Sequence, residues 1–300
     1  MSKFSDPVWT RRKVIQTLAI SGLVPAFDLS RGLAHAASPA ASDWAEGSHS
    51  AMRLIQGSSP SGQSSTYEAG IVLKLASGFK TYWRHPGDSG VPPVFRFEGS
   101  ENLKEALVHY PMPKSFPDGA GGLSFGYAKP EIILPVTVIA ADPKKPVTLK
   151  LQADYAVCNT ICIPANGLVE LRMKQGLQSP FNASLKQAMA NVPVLKALGE
   201  PGELQVTALR RATAPEHLDI EVRVPGIVQP ELFLEGESPW FFEAKAFTPG
   251  PQAGMGTFSV AVIERDKSLD CTGADLVLTL VAGKAAIEVR TRLDVALVTP

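Results

Sequence analysis

Leu149, Leu151, Ala153, Tyr155 and Val157 place an apolar side chain at every second position. That is the period of a strand with one buried face, not of a helix. The same period returns in Leu218/Ile220/Val222/Val224, in Phe258/Val260/Val262 and in Ile287/Val289/Thr291/Leu293. These runs are short and are punctuated by Gly, Pro and Asp, with 25 Gly and 25 Pro in 300 residues to supply turns. Long apolar stripes of helical period are rare, so an all-β fold is expected.

Strands are predicted at about Met52 to Gln56, Tyr67 to Leu75, Lys80 to Arg84, Val94 to Glu98, Ala106 to Tyr110, Ile132 to Ala140, Val147 to Val157 and Leu168 to Met173. Eight short strands in this span form a sandwich over 52–175. Residues 176–202 hold the best helical segment, Phe181 to Ala190, stopped by Pro193, and are expected to be a short helical connector. Beyond it, 203–298 predicts a second sandwich, with further strands near Glu231 to Leu234, Phe241 to Ala246 and Leu276 to Val281.

The N-terminus has the composition of an address. Thr10-Arg11-Arg12-Lys13-Val14-Ile15 is a twin-arginine pattern, followed by the apolar run Leu18 to Phe27 and by the small-x-small site Ala34-His35-Ala36. A signal peptide over 1–36, cleaved near Ala36/Ala37, and delivery to the periplasm are expected. Residues 37–51 are small and polar and are expected to be a linker. No further stretch has the length of apolar sequence that a membrane span requires, so no stable membrane insertion is expected after cleavage. With 29 basic and 29 acidic side chains and no block of like charge, nucleic acid is not an expected partner.

An oxidising compartment makes the cysteines the first place to look for chemistry. Of three, Cys158 and Cys162 form the only close pair, directly after the strand that ends at Val157. Pro164 follows, and Asn166-Gly167 offers a turn before the return strand, so the pair is expected in a hairpin connection. A ring of five residues is a poor staple, worth about 2 kcal/mol in the loop-entropy model against about 4.7 for a loop of a hundred. A redox pair in an accessible loop, a structural disulfide and a soft-metal site all remain open at this point. The thioredoxin arrangement does not apply, because it needs Cys-x-x-Cys at a helix N-terminus. His49, His85, His109 and His217 have no metal-type spacing to the cysteines, so no metal and no other cofactor is expected. No Ser-His-Asp order, phosphate loop or paired carboxylates stand out.

Four segments carry a resemblance: Gly78-Phe79-Lys80-Thr81-Tyr82-Trp83-Arg84, Gly87-Asp88-Ser89-Gly90-Val91-Pro92-Pro93, Ile133-Leu134-Pro135-Val136, and Asp154-Tyr155-Ala156-Val157-Cys158 through Cys162-Ile163-Pro164. In this order they resemble the N-terminal periplasmic domain of the DsbD/ScsB-type thiol:disulfide interchange proteins. The resemblance, which covers roughly 52–175, implies an immunoglobulin-like sandwich there; with the second sandwich read from its strands, two tandem immunoglobulin-like β-sandwich domains are expected. It implies a redox pair at Cys158 and Cys162 that takes electrons from a membrane-bound DsbD/CcdA-like, thioredoxin-linked donor and passes them to periplasmic thioredoxin-fold disulfide proteins. Cys162 would form the mixed disulfide and Cys158 would resolve it.

The family also shields its pair with a cap loop. By order along the chain that loop corresponds to 117–127, with Phe125 or Tyr127 as the shielding aromatic. Tyr82 and Trp83 are further candidates to line the site, but they are strand neighbours and cannot both face it. The three-residue spacing between the cysteines is shorter than in the best-known members. The second sandwich resembles the extra domain of the ScsB type only in outline, and Cys271 is expected to be a buried free thiol. The chain as read has no electron-transfer membrane domain, so its reductant is expected on another polypeptide. The rival readings are an exported binding module with a structural disulfide, for example one handling copper, and an assembly factor in cytochrome c maturation.

Overall fold

The computed structural model describes residues 39–59, 62, 64–213, 217–226, 229–236, 241–263 and 273–293. The expected signal peptide, its cleavage site and Cys271 lie outside the described residues. The first sandwich is built from β1 (Ala45–Gly47), β2 (Ser50–Gln56), β3 (Thr66–Leu75), β4 (Lys80–Gly87), β5 (Val94–Arg96), β6 (Leu103–Val108), β7 (Lys114–Pro117), β8 (Leu123–Tyr127), β9 (Glu131–Ala140), β10 (Thr148–Cys158) and β11 (Cys162–Arg172). A helix, α1 (Asn182–Ala190), follows. The second sandwich comprises β12 (Val194–Lys196), β13 (Gln205–Arg211), β14 (His217–Arg223), β15 (Glu231–Gly236), β16 (Phe241–Pro249), β17 (Met255–Ile263), β18 (Asp275–Ala282) and β19 (Ala285–Arg292).

In the first sandwich one sheet runs β1-β2-β3-β9-β6 and the other β11-β10-β4-β8-β7, with β5 also paired to β10. The alternation of β10 does what its period demands: Leu149, Leu151, Ala153, Tyr155 and Val157 are all buried in the core between the sheets, with Met52, Leu54, Ile71, Trp83 and Leu134. Side chains of even number on β10 therefore face away from that core.

The stretch expected to be a linker supplies structure from Pro39 onward. Ala41 bridges to Ile55, β1 pairs β2, and Trp44 is flanked by the cations of Arg53 and Lys74 at 4.3 and 4.4 Å. Ala40 and Ala41 are both buried, the Ala40 carbonyl accepting from the Gln56 N–H at 2.8 Å. The connector likewise does more than connect. Leu185 of α1 packs with Ile55 and Val72 on the outer face of the first sandwich, and a Cβ on Gly70 would stand 2.6 Å from its Cδ2. Val194–Lys196 pairs in parallel with β19 and edges the second sandwich.

The second sandwich stacks β12-β19-β18-β15 on β13-β14-β17-β16. Its strand β15 is buried on both faces: Leu232 and Leu234 enter its own core, while Phe233 between them enters the core of the first sandwich together with Val281. Phe233 meets Phe125 and Trp83 edge-on, at 4.8 and 5.8 Å between ring centroids. Arg84 closes the seam, bonding Glu235 and Glu288 at 2.6 Å each. Among the described residues no helix is long and apolar enough to cross a membrane.

Candidate redox site

Cys158 is the last residue of β10 and Cys162 the first of β11, directly opposite in the antiparallel ladder with Cα atoms 4.1 Å apart, and the two are joined as a disulfide. Asn159, Thr160 and Ile161 make the turn, closed by a bond from Asn159 N–H to the Ile161 carbonyl at 3.2 Å. The turn thus lies between the cysteines rather than at Asn166-Gly167, which pair in mid-strand with Asp154 and Ala153. Gly167 serves close packing instead, since a Cβ there would stand 2.6 Å from Met52 Cε. Pro164 is accommodated because β11 is an edge strand, where a missing N–H costs no ladder bond to an outer neighbour.

The register of β4 on β10 decides what faces the sulfurs. Thr81 lies opposite Val157, which is in the core, and Lys80 lies opposite Cys158. Tyr82 and Lys80 therefore share the cysteine face, while Trp83 is fully buried on the core side. The Tyr82 hydroxyl lies 3.0 Å from both sulfurs. Bonded sulfurs carry no proton, so the phenol is the donor. Burial, and then the Asp118 carboxylate, push the Tyr82 pKa above that of an ordinary tyrosine, which keeps the proton in place. The sulfurs differ sharply in access: Cys158 is 1% exposed and packs with Tyr82 and Ala156, whereas Cys162 is exposed beside Ile161, itself 70% exposed at the turn.

The aromatics expected to shield the pair lie elsewhere. On β8, Gly126 is the partner of Tyr82 and Tyr127 that of Thr81, so alternation sends Phe125 and Tyr127 toward the core side. Phe125 rests on Phe233, and the buried Tyr127 donates to the Pro111 carbonyl at 2.7 Å. The expected cap segment acts indirectly. Asp118 accepts from the N–H groups of Ala120 and Gly122, and Leu123 exchanges bonds with Asp88: its carbonyl accepts from the Asp88 N–H at 2.8 Å and its N–H donates to the Asp88 carboxylate at 2.7 Å. That turn holds the segment after β4 against the site. There Gly90, at φ +129°, lies so close to the Tyr82 ring that a Cβ would stand 2.3 Å from it. Gly90 and Asp88 were in view in the sequence only as part of a resembling segment. Their role depends on the crossing from β4 to β5, which no periodicity reveals.

Among the described residues no cluster of three or more His, Cys, Asp or Glu could hold a metal ion. His49 stacks on Phe79 and His109 bonds Thr137, so each has a local structural role.

The family model described as "Thiol:disulfide interchange protein DsbD, N-terminal" matches residues 53–173, which contain the whole of this site. This chain carries a DsbD-type N-terminal domain. The match supports thiol-disulfide interchange in general as the chemistry of this domain. Among solved structures, the N-terminal periplasmic domain of ScsB from Proteus mirabilis is similar with a TM-score of 0.66 at 22% identity, over 85% of this chain and 99% of that one. That coverage reaches well beyond the DsbD-type domain, so the ScsB likeness in fold extends into the second sandwich. A marsupial T cell receptor overlaps 82% of this chain and 97% of its own at 8% identity and a TM-score of 0.21, too low to carry an argument. No curated protein matches significantly.

Proposed function

We propose that this protein is a periplasmic reductant shuttle, delivered by its twin-arginine leader, that takes electrons from a membrane-bound DsbD/CcdA-like donor and passes them to thioredoxin-fold disulfide proteins. The observation that carries the reading is the asymmetry of the two sulfurs beneath a single phenol: Cys162 exposed, Cys158 1% exposed. Exposed Cys162 is the sulfur that a donor thiolate attacks, in line with the S–S bond, and the bonding electron pair then leaves on Cys158 Sγ. That charge forms in a buried place, where an unsolvated thiolate is costly. The Tyr82 hydroxyl already points at it and stabilises it as it grows. The donor's second thiolate then attacks its own sulfur of the mixed disulfide, releasing Cys162 as a thiolate and leaving the donor oxidised. The reduced pair works in reverse on a client: Cys162 attacks the client disulfide and Cys158 resolves the intermediate.

The test is trapping. Cys158→Ala incubated with an oxidised thioredoxin-fold protein should accumulate a mixed disulfide through Cys162, and Cys162→Ala should not. Trapping by Cys162→Ala alone would overturn the assignment.

A further inference from the structure

On the cysteine face, Lys80 has no part in the exchange just described. Lys80 stands directly across the ladder from Cys158, and Cβ atoms of such partners lie about 5 Å apart. From this half-buried residue the ammonium donates to Ser124 Oγ at 3.1 Å and the Pro117 carbonyl at 3.4 Å, and lies 5.5 Å from the Phe116 ring centroid. None of these partners is an anion. An ammonium held by two neutral oxygens and a ring face, on a flexible stem rooted opposite a sulfur, is available to a negative charge forming on that sulfur.

We infer that Lys80 is the electrostatic partner of the Cys158 thiolate, turning from its oxygen anchors toward the sulfur when the disulfide opens. This rests on the interchange reading given above. The step moves no proton: the electron pair of the broken S–S bond stays on Cys158, and Lys80 remains an ammonium beside it. Other charged or titratable groups lie on the elements around the pair. Tyr82 on β4 donates a hydrogen bond, Asp118 bears electrostatically on Tyr82 and Asp88 accepts from Leu123 on the same turn, so both carboxylates add negative charge that opposes ionisation; Lys114 lies across from Gly126 on β7, and Asp154 on β10 is paired with Arg96 on β5. Among the described residues, Lys80 alone of the cations is the ladder partner of a cysteine.

The experiment measures the Cys158 thiol pKa from the pH dependence of iodoacetamide alkylation in a Cys162→Ala background. Adding Lys80→Met should raise that pKa by about one unit, and Lys80→Arg should restore most of the shift. Lys80→Gln should match Lys80→Met, which separates loss of charge from a disturbed strand. Equal pKa values with and without the cation would overturn the inference. The redox titration of the otherwise unaltered protein reports separately on the interchange reading, so a redox-active protein whose Cys158 ignores Lys80 refutes this inference alone.

Discussion

Replacing Tyr82 by Phe removes one oxygen and leaves the ring that packs on Ala156 and Cys158. While the disulfide is intact, the lost bond is a neutral one, worth about 1 kcal/mol. Once Cys158 carries charge, the same donor is worth about 2 kcal/mol. The difference of about 1 kcal/mol is felt only as the S–S bond breaks, and it corresponds to about a five-fold slower reduction at 25 °C. The assay is rapid mixing with excess dithiothreitol, quenched by alkylation and read by mass. Because burial and Asp118 raise the Tyr82 pKa, the ratio of wild-type to variant rates should be flat through neutral pH. It should decline only above the ordinary tyrosine range, where the wild-type phenol also loses its proton. A Tyr82→Phe variant that reduces at the wild-type rate would refute the reasoning.

Three further outcomes follow from the same geometry. Gly90→Ala combines a positive φ with a Cβ 2.3 Å from the Tyr82 ring. It should destabilise the fold by about 1–3 kcal/mol in urea unfolding and slow reduction at least as much as Tyr82→Phe does. Arg84→Met leaves Glu235 and Glu288 facing each other without their shared cation, and should cost about 2–3 kcal/mol, discounted from the fully buried case because water reaches Arg84. Burial alone would raise the Glu288 pKa, but hydrogen bonding and charge from Arg84, then Arg290, outweigh it and lower it. A lowered carboxylate pKa stabilises the fold above the ordinary glutamate range, and that contribution is lost as pH falls through the lowered value. Unfolding midpoints measured from pH 7 downward should show this acid loss in the wild type, and a smaller one in Arg84→Met.

The all-β class and the cysteine hairpin were legible because β10 repeats its apolar side chains every second residue up to Val157, leaving Cys158 on the opposite face. Alternation also implied that only one of Tyr82 and Trp83 could meet the sulfurs. Which one does so depends on the pairing of Thr81 with Val157, and register is a property of two strands that neither sequence states alone. Phe125 and Tyr127 were placed by their order along the chain, and the register of β8 on β4 turned both away. Asn166-Gly167 looked like a turn because that dipeptide usually makes one, but the tighter hairpin between the cysteines leaves β11 running straight through it. Phe233 reads simply as part of an apolar strand. That it enters a different core from Leu232 and Leu234 follows from two sandwiches sharing a seam, which neither sandwich's pattern encodes.

The central claim is that the Cys158-Cys162 bond opens and closes in use. It is tested most directly by a redox titration of the intact protein in glutathione and dithiothreitol buffers, with alkylation and mass readout. A working shuttle should titrate between about −180 and −270 mV, the range of exchange-active pairs. A potential well below about −300 mV would mark a structural bond and contradict the account.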